Sequence, residues 1–479
     1  MRKISLFVIL ALLSISTVFA QTPQVGAPGV PGGTGIGDSL YSNFGNGGYD
    51  VQHYTLDLTV SPLSNSFVGS TTIEAKATED LGRFDLDLIG LKIDTITVNG
   101  LDATFTRDGQ ELQITPAQPI ANESAFTVVV DYHGAPERYR SVALPVQTGW
   151  VEYDDGANCP CSYVLSEPDG AATFFPSNDH PLDKATYTLR VTVPKPYDVA
   201  MNGVQQSITD NGDSTTTVSE VTSPMASYLT TIDISQFDLV TEPGTKGGVP
   251  IRNYFEKNIP QVTRDLFKTQ DEMIGYFESL FGPFPFDVYG ALMLNVQPGG
   301  ALEDQTLSIF GTDTVSPDDD RSDLTIAHEL AHQWFGDSVS VADWSDIWLN
   351  EGFASYAEAL WIEHTKGSDG LKSWISGTYG YVARAHLTPP GKPPADDLFN
   401  QGTYARGGLT LAALRLKVGD DKFFRILQQW YLVFKDSNGS TNDFITLASK
   451  VSDTDLTTFF DAWLYQTALP SIPELGLGA

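Results

Sequence analysis

The chain has 479 residues, 41% hydrophobic and 11% aromatic, enough apolar material for the cores of roughly two to four domains. Its 60 acidic side chains outnumber 28 lysines and arginines, for a formal charge of -32. Such acidity argues against nucleic acid and anionic membrane surfaces as partners, since both repel a polyanion, and it suits a soluble exported protein.

The chain opens with Arg2 and Lys3, an apolar run from Ile4 to Phe19, and Ala20. A charged start, a short apolar core and small residues at its end predict a signal peptide cut after about Ala20, and so a secreted or periplasmic protein. The run is short for a membrane span and contains Ser14, Ser16 and Thr17. No later run is long enough to cross a bilayer, so no integral membrane segment is expected once the leader is removed.

Residues 21–47 are rich in Gly, Pro and Ser and predict a flexible lead-in. From 48 to 245 the pattern changes. "VQHYTLDLTV", "STTIEAKAT", "FTVVVDYH", "ATYTLRVTV" and "SYLTTIDIS" alternate apolar and polar residues, which predicts a β-rich domain. Cys159 and Cys161 are the two cysteines, one residue apart. That spacing allows only a tight ring, so a local loop disulfide and two free thiols both stay open. "TEPGTKGG", 241–248, reads as a boundary.

From 246 to 470 the period lengthens. "QVTRDLFKTQDEMIGYFESLFG" predicts a helix stopped by Gly282 and Pro283, and "DVYGALMLNV" a buried strand. Helices are predicted over 322–335, 345–364, 407–418, 420–433, 441–450 and 455–467, leaving 471–479 as a tail. The acidic stretch "SPDDDRSD", 316–323, reads as a solvated loop capping the next helix, with a calcium loop as the alternative.

The chemistry concentrates in "HELAHQWFGDSVSVADWSDIWLNEGFASY", residues 328–356. Positions i and i+4 lie one above the other on a helix, so His328 and His332 can present two ring nitrogens to one cation. Glu329 can reach a water on that cation and take its proton. Glu351 sits among Trp344, Trp348 and Leu360, where a carboxylate needs a partner. Two imidazoles, one carboxylate and an open position are the usual set for catalytic zinc, and a base between the histidines favours zinc over iron. Asp346 reads either as an acceptor for a ligand imidazole or as an acid at a helix start. The other histidines, His53, His133, His180, His364 and His386, read as structural or exposed.

These residues resemble the zinc aminopeptidases of peptidase family M1, gluzincins with an HExxH-x18-E site. "GGALED", 299–304, resembles the family's "GAMEN" motif, and "SEPDGAATFFPSNDHPLDKATYTL", 166–189, its "QFEPxxARxxFPCFDEPxxKAxF". "YARGGLTLAALRLKVGDDKFF" resembles "YxKG" and the helix after it, and "DAWLYQTALP" the end of the catalytic domain. Together they span about residues 48–470.

The resemblance implies an α+β multidomain fold: a saddle-like, β-rich N-terminal domain followed by a thermolysin-like, mainly helical catalytic domain. It implies one zinc ion per chain, bound by His328, His332 and Glu351, with Glu329 as base. Glu303 would bind the free α-amine of a peptide substrate, with Glu167 as a second acid there. Tyr404 would donate to the oxyanion, and Gly300 and Ala301 would offer backbone groups to the extended substrate. The implied reaction is hydrolysis of the first peptide bond.

Leu302 and Asp304 stand where the family has Met and Asn, Ala172 replaces an arginine, Arg406 a lysine, and "PSNDHP" has one acid fewer. Many relatives continue into further domains; the short form implied here would leave a more open cleft. Alternatives are a non-peptide, epoxide-type activity, as in the leukotriene hydrolase branch, and a zinc-binding protein without catalysis. Against the latter stand the intact Glu329 and Tyr404, because structural zinc sites tend to close with four protein ligands. The oligomeric state is left open.

Overall fold

The computed structural model describes residues 29–154, 160–244 and 248–478. The leader, Cys159, and hence any Cys159–Cys161 pairing lie outside the described residues, as does the centre of the 241–248 boundary.

The β-rich N-terminal part is built on an eight-stranded sheet. Its order is Val204–Asp210, Ser214–Met225, Ala185–Pro194, Tyr49–Ser61, Ser66–Ala77, Ala125–Gly134, Lys92–Val98 and Leu101–Asp102. Every pairing is antiparallel except that of Ala185–Pro194 with Tyr49–Ser61. In Tyr49–Ser61 the buried side chains are Tyr49 and Val51, then Tyr54, Leu56, Leu58 and Val60. The parity switches because the register shifts between Val51 and His53, and one extra residue turns every later side chain to the other face.

A second sheet, ordered Gly149–Asp154, Pro160–Leu165, Ile232–Ser235 and Asp198–Met201, ends its second strand two residues before Glu167. A third joins Phe237–Glu242, Ile251–Glu256, Ala291–Met293 and Ser308–Phe310. It straddles the expected boundary at 245, since Phe237–Glu242 pairs antiparallel with Ile251–Glu256. The predicted strand "DVYGALMLNV" contracts to Ala291–Met293.

Helices dominate from there on. The histidine helix is Ser322–His332; it ends before the predicted 335 because the chain turns at Gly336, whose φ is 142°. The next begins at Trp348 after a short turn, Trp344–Asp346, capped by Asp343. It runs to Ala385, well past the predicted 364, broken only at Gly367, whose φ of 73° suits glycine. Gly407–Val418, Asp420–Phe434 and Thr441–Ser452 follow closely as read from the sequence. The last predicted helix is the short Thr457–Phe460 followed by a π-helical turn, Asp461–Tyr465.

The lead-in needs correction: its described part, 29–47, is fixed rather than flexible. Val30–Pro31 pairs parallel with Leu81–Asp87, and Tyr41 and Phe44 stack and are buried. Glycine there serves close approach: a Cβ on Gly29 would lie 2.3 Å from the backbone of Leu81. Asp38 then fastens this strap to both halves of the molecule. Its carboxylate accepts from the backbone N–H of Leu40, Tyr41 and Trp344 and pairs with His180 Nε2 at 3.1 Å. His180 stands where the family motif has an acid, so Asp38 brings that acid from elsewhere in the chain.

Burial pushes the Asp38 carboxyl up, but the bonds from His180, Trp344 and Tyr41 more than offset it and hold it below its ordinary value. Its contribution is therefore complete at neutral pH and lost only as pH falls below the usual carboxylate range. Asp38→Ala leaves His180 Nε2 and the backbone N–H of Tyr41 and Trp344 buried without their acceptor, and is expected to cost about 3 kcal/mol. Thermal denaturation reads this as a lowered Tm; an unchanged Tm would mean that the strap holds without it.

Candidate metal centre and the acids around it

The histidine helix places His328 and His332 one turn apart with both rings buried. The helix Trp348–Ala385 packs beside it and brings in Glu351 from its first turn. His328 Nε2 lies 3.2 Å and His332 Nε2 3.5 Å from Glu351 Oε2. Four-coordinate zinc with bonds near 2 Å holds its donors about 3.3 Å apart, so this set fits zinc. The far nitrogens are already engaged: His328 Nδ1 with Glu358 Oε1 at 2.8 Å, and His332 Nδ1 with the Phe335 carbonyl at 3.1 Å. That leaves both Nε2 atoms for a cation.

Electrostatics agree with the geometry. Burial pushes the Glu351 carboxyl up, but His332 and His328 bring it down to about 2. Burial pulls the His332 imidazole down, yet Glu303 and Glu351 lift it to about 9. The imidazoles thus hold protons where a divalent cation would supply the charge.

Asp346 is not an acceptor for a ligand imidazole. Its Oδ1 accepts from the Thr441 hydroxyl at 2.6 Å. Glu358 takes the role instead, and the sequence holds a signal for it: Glu358 is seven residues after Glu351, two turns along the same helix face.

Glu329 is buried beside the donors, with a carboxylate oxygen within 4.8 Å of ligand atoms of Glu303 and His332. Burial pushes it up to about 8, with His328 and His332 pulling the other way.

Glu303 and Glu167 arrive from opposite parts of the chain. Glu303 follows the edge made by Leu302, which exchanges backbone hydrogen bonds with Ile309, and Gln333 of the histidine turn donates to its carbonyl at 2.8 Å. One oxygen each of Glu167, Glu303 and Glu351 lie within 4.8 Å of one another. Both Glu303 and Glu167 are buried, and Oε1 of each has no hydrogen-bond partner among the described residues. Burial first, then Glu303, drives the Glu167 carboxyl well above its usual value. Two buried acids in this state need a cation. Gly300 and Ala301 are partly exposed, and their backbone groups make no hydrogen bond among the described residues, so that edge is open.

Two family departures take defined places. Leu302 is buried in a cluster with Tyr163, Leu294 and Ile309. Asp304 is fully buried, and burial plus Asp233 and Glu303 raise its carboxyl well above the usual value, which favours the uncharged acid beside Glu303.

Tyr404 stands on the other flank. Its ring stacks on His328, centroids 5.9 Å apart, and it belongs to a π-helical turn, Gly402–Arg406. Burial and the Glu351 charge hold the phenol protonated, and its hydroxyl makes no hydrogen bond among the described residues. Two glycines set its position: a Cβ on Gly352, next to Glu351, would lie 2.9 Å from Gly407, just after the turn. Arg406 fixes the turn from behind, donating to the carbonyls of Ala462, Trp463, Gln466, Thr467 and Ala468. A lysine has three donors and could not satisfy all five.

Seven of the nine residues expected from the sequence lie together, with Glu303 near His332 and Tyr404 near His328, while Gly300 and Ala301 are placed only by their closeness to Glu303 in the chain. A family model described as the peptidase family M1 domain matches residues 266–463, and one for the peptidase M1 N-terminal domain matches 50–229. The chain is 28% identical to aminopeptidase N of Streptomyces lividans, covering 87% of this chain and 50% of that protein. Identity is 27% to glutamyl aminopeptidase of Sus scrofa, covering 87% and 47%, and 25% to leucyl aminopeptidase of Saccharolobus solfataricus, covering 88% and 54%. The chain thus spans about half the length of these relatives. Among solved structures, an M1 zinc metallopeptidase from Deinococcus radiodurans superposes with a TM-score of 0.83 at 32% identity, over 92% of this chain and 99% of that one. A mutant of that protein has been solved bound to a Tyr-Ser-Ala substrate.

Proposed function

The chain belongs to peptidase family M1, and on that premise we propose that it is an exported zinc aminopeptidase that hydrolyses the first bond of peptides with a free N-terminus. The observation that carries the reading is the pair Glu167 and Glu303, buried carboxylates beside the metal donors, each with an oxygen that has no hydrogen-bond partner among the described residues. An N-terminal ammonium satisfies both, and only the first peptide bond then reaches the donors. The same pair favours a peptide over an epoxide as substrate. Export rests on the leader pattern; among the described residues no helix is long and apolar enough to cross a membrane.

His328, His332 and Glu351 would hold one zinc ion, which when bound supplies Lewis acidity and lowers the pKa of water. Glu329 takes the proton of the attacking water and returns it to the leaving amine. Tyr404 donates to the oxygen on which negative charge develops. Glu358 and the Phe335 carbonyl keep both imidazoles aimed. Gly300 and Ala301 offer backbone groups to the substrate.

A panel of aminoacyl chromogenic substrates, with and without chelator, tests this reading. Turnover that disappears with chelator and returns with zinc is expected. Turnover indifferent to the chelator overturns the metal assignment, and a zinc-loaded protein inert on every substrate is a binding protein. Tyr404→Phe should lower kcat about 100- to 1000-fold with little change in KM, because its bond forms mainly in the transition state. A near-normal kcat would mean that another group faces the oxyanion.

A further inference from the structure

On the His328 side of the centre lies an open groove of about 410 Å³. Glu358 and Tyr404, the two residues flanking His328, line it together with Trp374, Tyr381 and Gln401. One cation is among the lining residues, Arg321. Glu303 lies on the other flank, near His332. A peptide whose amine is held by Glu303 and Glu167 must cross the donors and send its leaving part past His328 into this groove. The inference below rests on that proposed direction of binding.

Arg321 immediately precedes the histidine helix, seven residues before His328. At 1.5 Å per residue that is about 10 Å along the axis, and an extended peptide advances about 3.3 Å per residue. About three residues beyond the cleaved bond therefore reach it, fewer if the arginine side chain folds inward. Its side chain is 76% exposed and lies in the acidic stretch 316–323, where its ion pair is a long one, Nε to Asp319 Oδ1 at 3.6 Å, an exposed contact that an incoming carboxylate can replace. In a chain with a formal charge of -32, peptide carboxylates are otherwise repelled.

The geometry points to Arg321 as the anchor for the C-terminal carboxylate of short peptides, so that tri- and tetrapeptides are held at both ends. The ammonium lies between Glu167 and Glu303, and the carboxylate meets the planar fork of the guanidinium. The specificity is for free short peptides over blocked or long ones.

The test compares kcat/KM for a tripeptide, its C-terminal amide and an aminoacyl anilide. The parent should prefer the free acid to the amide about tenfold, mostly through KM, as expected for one charge-assisted bond near the surface. Arg321→Gln should bring the acid-to-amide ratio close to one, Arg321→Lys should restore part of it, and added salt should shrink it in the parent. A parent that cleaves acid and amide alike, or a ratio unmoved by Arg321→Gln, overturns the anchor while the anilide still reports an aminopeptidase. A parent that turns over none of the three overturns the aminopeptidase reading, and the anchor with it.

Discussion

Glu329→Gln should retain metal and fold and lose at least about 100-fold in turnover, the usual cost of removing a general base. Glu329 is buried beside the donors but outside the His328, His332 and Glu351 triangle. Glutamine nearly keeps its shape, but its NH2 donates where a carboxylate oxygen accepts, and it cannot take up the proton. The parent should also show a pH limb that the variant lacks. Burial holds the Glu329 carboxyl up to about 8, and a divalent cation beside it pulls that value down. Activity therefore rises with pH as Glu329 ionises, with a midpoint below about 8. Metal analysis, thermal denaturation and kinetics on the same preparation separate the outcomes. A variant with more than about a tenth of the parent rate would remove Glu329 as base, and one that has lost its metal would make Glu329 part of the binding set.

What the sequence makes legible is what repeats along the chain. Alternation in Tyr49–Ser61 follows from a sheet with one buried face, and His328 and His332 meet because a helix turn separates them. Glu351 is legible because an acid among tryptophans needs a partner. Tyr404, Glu303 and Glu167 carry no such local signal: each reaches the centre through a separate element, and only resemblance singles them out. The misreadings share a cause. Gly- and Pro-rich composition in 29–47 looks flexible, yet its glycines allow tight packing whose partners, Leu81, His180 and Trp344, are distant in sequence. Of the two readings of Asp346, the imidazole acceptor rests on closeness to Glu351 in sequence and fails, while the helix-start acid holds; helix periodicity aims Glu358 at His328 instead. Arg406 differs from the family's lysine by what lies behind it, the carbonyls of 462–468, which no local pattern predicts.

Blocking the substrate amine should cost more than any single side chain outside the metal set. Glu167 and Glu303 face the same space, each with an oxygen lacking a hydrogen-bond partner among the described residues, and burial pushes both carboxyls up. An incoming ammonium lets them ionise and pairs with them at once. At low pH the same amine must displace protons from both, so KM should rise as pH falls. Acetylation removes the charge, adds bulk and leaves the two acids facing each other without a cation. The expected loss is several kcal/mol of transition-state binding, on the order of 1000-fold in kcat/KM. Glu303→Ala should lose activity on free peptides while keeping its zinc, because Glu303 lies outside the His328, His332 and Glu351 triangle and its oxygen is 4.0 Å from His332 Nδ1. Mass spectrometry of products from matched free and acetylated peptides reads the result directly. Single residues released in order from free N-termini, with acetylated partners intact, is the expected record. Comparable cleavage of both, or internal cuts as the main products, would make the enzyme an endopeptidase and leave Glu167 and Glu303 without the cation that their burial demands.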